Sequence, residues 1–531
     1  MVFTLQRYIF RELLRIFILA AVGLTLILSL GGILGPVQEY GVGPRQAVHI
    51  LVYFLPITLT FVLPMAALFA SALAYGRFAS DNELDACRAS GIGMLTLVYP
   101  GLALAVLVAI ANLMLSFHVM PYFVHLAERS LKADAKQILF RNIARRGFYK
   151  VPSGRSDNYL IYADYPDLKN NTLHGIIVAE VTSEGIKNLI TSQKTAVQFD
   201  SRGTTNEVRL VVHDYRQMGS GDSCWDGRMG LLPLRREFGS LLGDDIKFKR
   251  IQEMKRIGAD LMRFDPVARD AETVYTQFVT ELLARDVNEA FAAGGSYEFR
   301  NPTQSVRISA KRCELREHAA IALTPPVLVE ERDGFGLSRR RLLGQKAAEI
   351  LVETGTKDPT VSIRVHNPEV VGTGQSLVQF SAGDLAIPER VRRGLGGQSV
   401  LKVATSDLAA SLGRPLSPIL AKQQAELSRE IGNTLTDIKA EVNSRLVFGI
   451  GCIPMILIGI GLGIIQRGGH LLSAFGASCV PAAVLIVAII SGKNLTVNLG
   501  VESSSGIIIM WSGLAFLVLL AAIIYRKLRR T

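Results

Sequence analysis

Apolar residues crowd the two ends of the chain. Three long, almost uncharged runs cover residues 16–34, 50–75 and 95–119, and three more cover 446–465, 472–490 and 507–525. Each is long enough for a helix to cross a hydrocarbon layer of about 30 Å. The middle of the chain is polar, and period-two alternation there predicts strands at 147–151, 159–163, 175–181 and 207–213. In the fourth of these, Val208, Leu210 and Val212 are predicted on one face, with Arg209, Val211 and His213 on the other. Further strands are predicted at 305–311, 361–366 and 376–382. Val274, Phe278 and Leu282, with Val279 and Leu283, form an amphipathic helical stripe, and a mostly polar helix is predicted over 419–442.

The fold class that follows is a membrane α-helical bundle of six transmembrane helices, three before and three after a large all-β domain. That domain reads as an antiparallel sandwich, jelly-roll-like, carrying helical insertions. Residues 1–121 hold the first three spans and 122–248 the β domain. Residues 249–405 are an insertion that reads as a possible second β domain, 406–444 a helical connector, and 445–531 the last three spans. Pro56 and Pro64 fall inside the second span, where neighbouring helices tolerate them. The first apolar run exceeds a signal-peptide core and lacks a small-residue cleavage site, so it is predicted to remain as a membrane anchor.

Charge orients this arrangement. With six spans both termini share a side, and the short segments there carry Arg7, Arg11, Arg15, Arg77, Arg88, Arg467, Arg526, Lys527, Arg529 and Arg530. Short loops on the other side carry only Arg45 and Lys493. Basic residues stay cytoplasmic, which predicts cytoplasmic termini and a periplasmic middle domain in an inner membrane. The net charge of +12 is explained by those flanks, and no zinc-finger or aromatic RNA-binding pattern points to nucleic acid. The Arg339, Arg340, Arg341 run reads as a solvated face. Of the five cysteines, Cys224 and Cys313 lie in the polar middle, where a disulfide and two free thiols are both open readings.

Chemistry is sparse. Ser491-Gly492-Lys493-Asn494 lacks the upstream glycine and the Ser/Thr of a phosphate loop, and no metalloprotease or serine-hydrolase motif occurs. No metal or cofactor site is legible, and an enzyme is not predicted. The spans are nearly free of ionisable groups. Asn112, inside the third, has an interhelical hydrogen bond as its ordinary reading. An ion-driven carrier would place charged groups at that depth. A transporter built this way must draw its energy from a partner.

The segment 80–91, SDNELDACRASG, is the place to look for that partner. Ser80 followed by Glu83 fits a capping box, and Gly91 fits a left-handed stop, predicting roughly three helical turns between two spans. Asp81, Glu83 and Asp85 on a polar face can dock in a groove of a soluble ATPase. The plainer reading is that Glu83 only caps the helix and the other charges are solvated.

RYIFRELLR at the start, ASDNELDACRASG after the second span and Arg445 before the fourth, set in the order spans, strands, spans, resemble the LptF/LptG family. These are the permease subunits of the bacterial lipopolysaccharide exporter. Glu83 falls on the family's coupling-helix glutamate and Gly91 on its terminating glycine. Gln466-Arg467-Gly468-Gly469 resembles its loop after the fourth span. The resemblance implies ATPase-coupling residues Asp81, Glu83, Leu84, Arg88 and Gly91. It implies a paralogous permease, a cytoplasmic ABC ATPase dimer (LptB-like), periplasmic LptC/LptA-like bridge proteins and lipopolysaccharide as partners. Leu160, Tyr162, Val208, Leu210 and Val212 are the lipid-path candidates, with an ordinary sandwich core as the plainer reading of each. Gly31 and Gly32 stand where family members often carry a basic residue, which leaves Arg45 and Lys493 as lipid-phosphate candidates. The rival from another class is an envelope scaffold that binds partners and moves nothing.

Overall fold

The computed structural model describes the backbone of residues 2–40, 44–151, 158–168, 170–182, 185–200, 207–219, 223–234, 245–301, 304–316, 319–333, 338–345, 348–354, 359–372, 376–377, 379–395, 399–412, 415–465, 471–498 and 504–528. The chain divides into two compact units, Met1–Met254 with Thr436–Thr531, and Lys255–Leu435. The second unit therefore takes in most of both the expected insertion and the expected connector.

The first unit opens with helices α1 (Val2–Tyr40), α2 (Pro44–Ser80), α3 (Glu83–Ala89) and α4 (Met94–Met114). A π-helical turn, Leu115–Val119, joins α4 without a break to α5 (Met120–Arg146). Among the described residues, five helices are long and apolar enough to cross a membrane: Phe3–Gly32, Leu51–Ser80, Met94–Ala127, Pro418–Ile465 and Ser505–Leu528. The fifth expected span, 472–490, falls in a helix, Leu471–Asn498, whose described apolar part, Val480–Thr496, is shorter. Their shared core sets Leu13 and Phe17 of α1 against Ala66, Ala70 and Ala74 of α2, Leu104 and Val108 of α4, and Ile456 and Ile460 of the helix Pro418–Ile465. Small side chains let the backbones approach, and that approach supplies the packing that lipid cannot. At Gly463 an added Cβ would stand 2.5 Å from the Ala72 carbonyl oxygen and 2.8 Å from the Gly76 nitrogen, so only glycine fits.

Strands β1 (Phe148–Val151), β2 (Asn158–Asp167), β3 (Thr172–Thr182), β4 (Gly185–Asp200), β5 (Glu207–Gly219) and β6 (Ser223–Leu234) follow, all antiparallel. Their order across the sheet is sequential. That is a meander, and no crossover of the kind a Greek-key jelly roll uses joins β1 to β6. Burial also departs from simple alternation. Ile161, Val178 and Ile190 form one buried row and Leu173, Thr195 and Val212 another. Between them Gly175 (φ +62°) and Asp214 (φ +49°) kink the sheet. Val211 and Val212 are consequently both buried, against the alternation predicted for 207–213.

The second unit is built on a ten-stranded antiparallel sheet. Helix α6 (Ile251–Ala259) leads towards it, and α7 (Asp265–Ala292) precedes β7 (Tyr297–Arg300), β8 (Gln304–Ser309), β9 (Cys313–Arg316), β10 (Ala320–Leu323), β11 (Val327–Asp333), β12 (Ser338–Gly344), β13 (Ala348–Thr354), β14 (Pro359–His366), β15 (Glu369–Val370) and β16 (Gln379–Ala386). The order is β15-β12-β11-β8-β7-β16-β14-β13-β10-β9, unlike the first sheet, so the strand clusters are not copies of one topology. Helix α7 packs on β13, β9, β10 and β7, and on its other flank meets α8 (Glu389–Gly394) and α9 (Val400–Thr405), with α10 (Leu408–Leu412) beyond. Covered on both sides, it buries every residue from Gln277 to Ala284 instead of the single predicted stripe. The arginine run lies on β12, with Arg341 paired to Glu330 at 3.1 Å and Arg339 and Arg340 exposed.

Cys313 corrects the disulfide reading: it is a free, buried thiol donating to the Ala284 carbonyl at 3.4 Å, and burial pushes it up to about 12. The side chain of Cys224 lies outside the described residues. The chain ends in α11 (Pro418–Ile465), α12 (Leu471–Asn498) and α13 (Ser504–Leu528). The polar helix predicted over 419–442 is thus the first half of one 48-residue helix.

Two outcomes follow from this packing. Gly463→Leu should destabilise the helical bundle by about 1–3 kcal/mol through overpacking, read as a lower unfolding midpoint in detergent. In the second unit, the His366 hydrogen bond holds the Glu349 carboxyl below its usual value although burial pushes the other way. A depressed carboxyl contributes stability above its unfolded pKa and loses it as pH falls through the folded value. Hydrogen-exchange protection of β13 and β14 should therefore fall on acidification below about pH 4.5, and Glu349→Gln should flatten that dependence.

Candidate functional site

Helix α3 sits in the turn between α2 and α4. Its start corrects the capping-box expectation. Ser80 Oγ donates back to the Arg77 carbonyl at 2.9 Å and so closes α2. The residue that opens α3 is Asn82, in the left-handed region at φ +57°, with no side-chain cap. Asparagine tolerates that conformation better than most residues, which is why the turn can be made there. The helix spans 7 residues, two turns and not three. Its end agrees with the glycine stop. Gly91, at φ +82°, donates its N–H to Arg88 O at 2.9 Å, and Ile92 donates to Cys87 O at 3.1 Å. This is the paired-bond Schellman closure that a left-handed residue makes possible.

The corner is bolted from inside. Leu84 is 5% exposed and joins the core of α1 and α2, with Cys87 and Ile92 packed beside it. Leu84 is thus an anchor, facing away from any docking partner. Asp81, Glu83, Arg88 and Gly91 are exposed, and Asp85 is half-buried. The surface left open is acidic at its leading end. Arg77 Nη1 reaches Glu12 Oε1 of α1 at 2.9 Å, a tie that no local pattern announces.

A second cluster gathers around Arg445, at the start of the expected fourth span. Pro121 has no N–H, and the Met120 N–H is taken by Leu115 O in the π-turn. The Ser116 carbonyl therefore has no helical donor. Arg445 Nη1 supplies one at 3.0 Å. The same guanidinium donates to Glu441 Oε1 at 2.8 Å, Lys247 O at 2.7 Å and Lys249 O at 3.2 Å, and lies 5.6 Å from the Phe117 ring centroid. Its side chain is 4% exposed. The second Glu441 oxygen accepts from Lys493 of α12, so that lysine is already committed to a carboxylate. Nearby, Phe248 packs on Met120 and Val124, and His125 meets Glu253 at 3.4 Å. Asn112 donates to Cys452 Sγ at 3.9 Å, a contact between α4 and α11 of the kind predicted.

The β2 candidates lie on the face opposite the buried row. Ile161 and Ala163 are the buried residues there, whereas Leu160 is half-buried and Tyr162 exposed. Phe148, Tyr162 and Ile177 stand side by side across β1, β2 and β3 at 41%, 38% and 37% exposure. An apolar row is thus open on that face. Val212 belongs to the buried row. The side chains of Arg45, Val208 and Leu210, and all of Gln466, Arg467, Gly468 and Gly469, lie outside the described residues.

Residues 7–220 match the family model for lipopolysaccharide export system permease LptF/LptG. The chain is LptF/LptG-like. The matched stretch holds α1 to α5, the α3 corner and the sheet through β5. The LptF/LptG match ends before the second unit and the last three helices, so those carry no family evidence. No curated protein matches the chain. An LptF/LptG protein is a transporter component and not itself an enzyme, and the apolar helices fit a multi-pass inner-membrane protein.

Removing one member of a buried, hydrogen-bonded ion pair leaves the others uncompensated, at a cost of about 3–5 kcal/mol. Arg445→Met should cost that much stability in detergent, and a smaller loss with Arg445→Lys would follow from the retained charge. An unchanged midpoint in both variants would contradict the assignment.

Proposed function

We propose that this chain is a six-span permease subunit of an ATP-driven exporter, which extracts lipopolysaccharide or a related envelope glycolipid from the inner membrane. In this reading both termini and α3 are cytoplasmic, and the two sheet-bearing regions are periplasmic. A paralogous permease completes the lipid passage, a cytoplasmic ABC ATPase dimer grips α3, and periplasmic bridge proteins receive the lipid. The observation that carries the reading is the α3 corner, where the family match coincides with a helix whose acidic face is exposed and whose one buried side chain, Leu84, fixes it to the bundle.

The open apolar row of Phe148, Tyr162 and Ile177 supports the lipid path, because acyl chains need a surface that the sheet has not already used for its own core. Lys493 meets lipid phosphate only by giving up Glu441, which makes it a weaker candidate than its position in the sequence suggested. Arg45 remains a candidate phosphate contact.

Copurification tests the reading. The chain should bring down an ATPase, Glu83→Ala should reduce the amount recovered by about tenfold, and Glu83→Lys should abolish it, since a like-for-opposite charge change at an interface costs more than truncation. Full recovery and full export with Glu83→Lys would sink the coupling role. Recovery of envelope proteins without any ATPase would favour a scaffold.

A further inference from the structure

The α3 corner has a neck. Tyr75, on α2, is fully buried, and its hydroxyl donates to the Leu97 carbonyl of α4 at 2.8 Å. The two residues bracket α3 symmetrically: eight positions separate Tyr75 from Glu83, and eight separate Ala89 from Leu97. The ring is wedged edge-on against Phe78 at 6.1 Å between centroids, and its hydroxyl passes beside Gly101, where a Cβ would come within 3.2 Å. One buried hydrogen bond therefore joins the two ends of the loop that carries α3, inside a core that also holds Phe78, Leu84 and Leu97.

A seven-residue helix is too short to transmit force unless both of its flanks are fixed. Leu84 fixes the helix itself to α1 and α2. Among the described residues, the Tyr75 bond is the side-chain hydrogen bond that ties the flank before α3 to the flank after it. We infer that Tyr75 is a positioning residue for export: it makes α2 and α4 move as one when α3 is displaced, so that the ATPase stroke reaches both helices. This rests on the proposed exporter reading. Without the hydroxyl, α3 would still present the same acidic face, but its displacement would spread the neck instead of shifting the bundle. A buried hydrogen bond of this kind biases a two-state equilibrium by roughly fivefold.

Tyr525 provides a matched control. Its hydroxyl donates to the Leu457 carbonyl at 3.3 Å, joining α13 to α11; the ring borders the same core as Tyr75, so this variant removes a hydroxyl from that core without breaking the bond between the flanks of α3. The test reconstitutes the complex of this chain with its permease and ATPase partners in bacterial phospholipid vesicles containing lipopolysaccharide. ATPase association, hydrolysis rate and lipopolysaccharide extracted per ATP are measured for the wild type, Tyr75→Phe and Tyr525→Phe. In parallel, spin labels at Ser80→Cys and Leu95→Cys report the width of the neck through the ATP cycle. The expected result is that Tyr75→Phe keeps association and hydrolysis, lowers extraction per ATP roughly fivefold and broadens the label distance, while Tyr525→Phe changes none of these. Unchanged extraction per ATP in Tyr75→Phe overturns the inference and leaves the exporter reading standing. So does an equal fall in both variants, which would mark general loosening, or a loss of ATPase association in Tyr75→Phe alone. A wild-type complex that neither binds an ATPase nor extracts lipid overturns the exporter reading and the inference with it.

Discussion

A guanidinium buried among apolar helices is unstable there unless nearly all of its N–H groups find acceptors, and the region around Arg445 is arranged to provide them. One acceptor comes from a defect in a helix: Pro121 cannot donate, the chain takes a π-turn at Leu115–Val119, and the Ser116 carbonyl is left facing the interior. Two more come from the carbonyls of Lys247 and Lys249, on either side of Phe248. The fourth is Glu441, which also holds Lys493 of α12. Four segments distant in sequence, the α4–α5 turn, the stretch after the first sheet, α11 and α12, are thereby tied together through the Arg445–Glu441 pair of α11. Such a cluster is weak evidence for stability by itself, but it specifies one arrangement, because any slip strands a charge.

Much of the helical part was legible in the sequence because membrane spans and glycine stops are local signals. Long apolar runs marked the spans, Pro56 and Pro64 were tolerated inside α2, and Gly91 marked the end of α3. The start of α3 departs from its local pattern, since Ser80 and Glu83 have the spacing of a capping box but Ser80 Oγ finds the closer Arg77 carbonyl of its own helix. The acceptors of Arg445 were not legible at all. Three of the four are backbone carbonyls, which carry no residue signature, and only Pro121 hints that one of them is free.

The sheets show the same division between local and tertiary information. Strand positions such as β1 and β14 follow from alternation, but which face is buried depends on what covers it. The kink at Gly175 and Asp214 moves burial from one parity to the other, so Leu160 and Tyr162 stand outside the core that their pattern suggested. Helix α7 likewise looked one-sided and is covered on both flanks. At the α3 corner, by contrast, inside and outside are settled within a dozen residues: Leu84 goes in, and Asp81, Glu83 and Arg88 stay out.

All of this has meaning for transport only if α3 and the first sheet face opposite compartments. Membrane-impermeant thiol labelling of single cysteines, Arg88→Cys on α3 and Asn170→Cys in the β2–β3 turn, measures that directly in intact cells and in inverted vesicles. The account predicts labelling of position 170 from the periplasmic side only and of position 88 from the cytoplasmic side only. Labelling of both positions from the same side would contradict it.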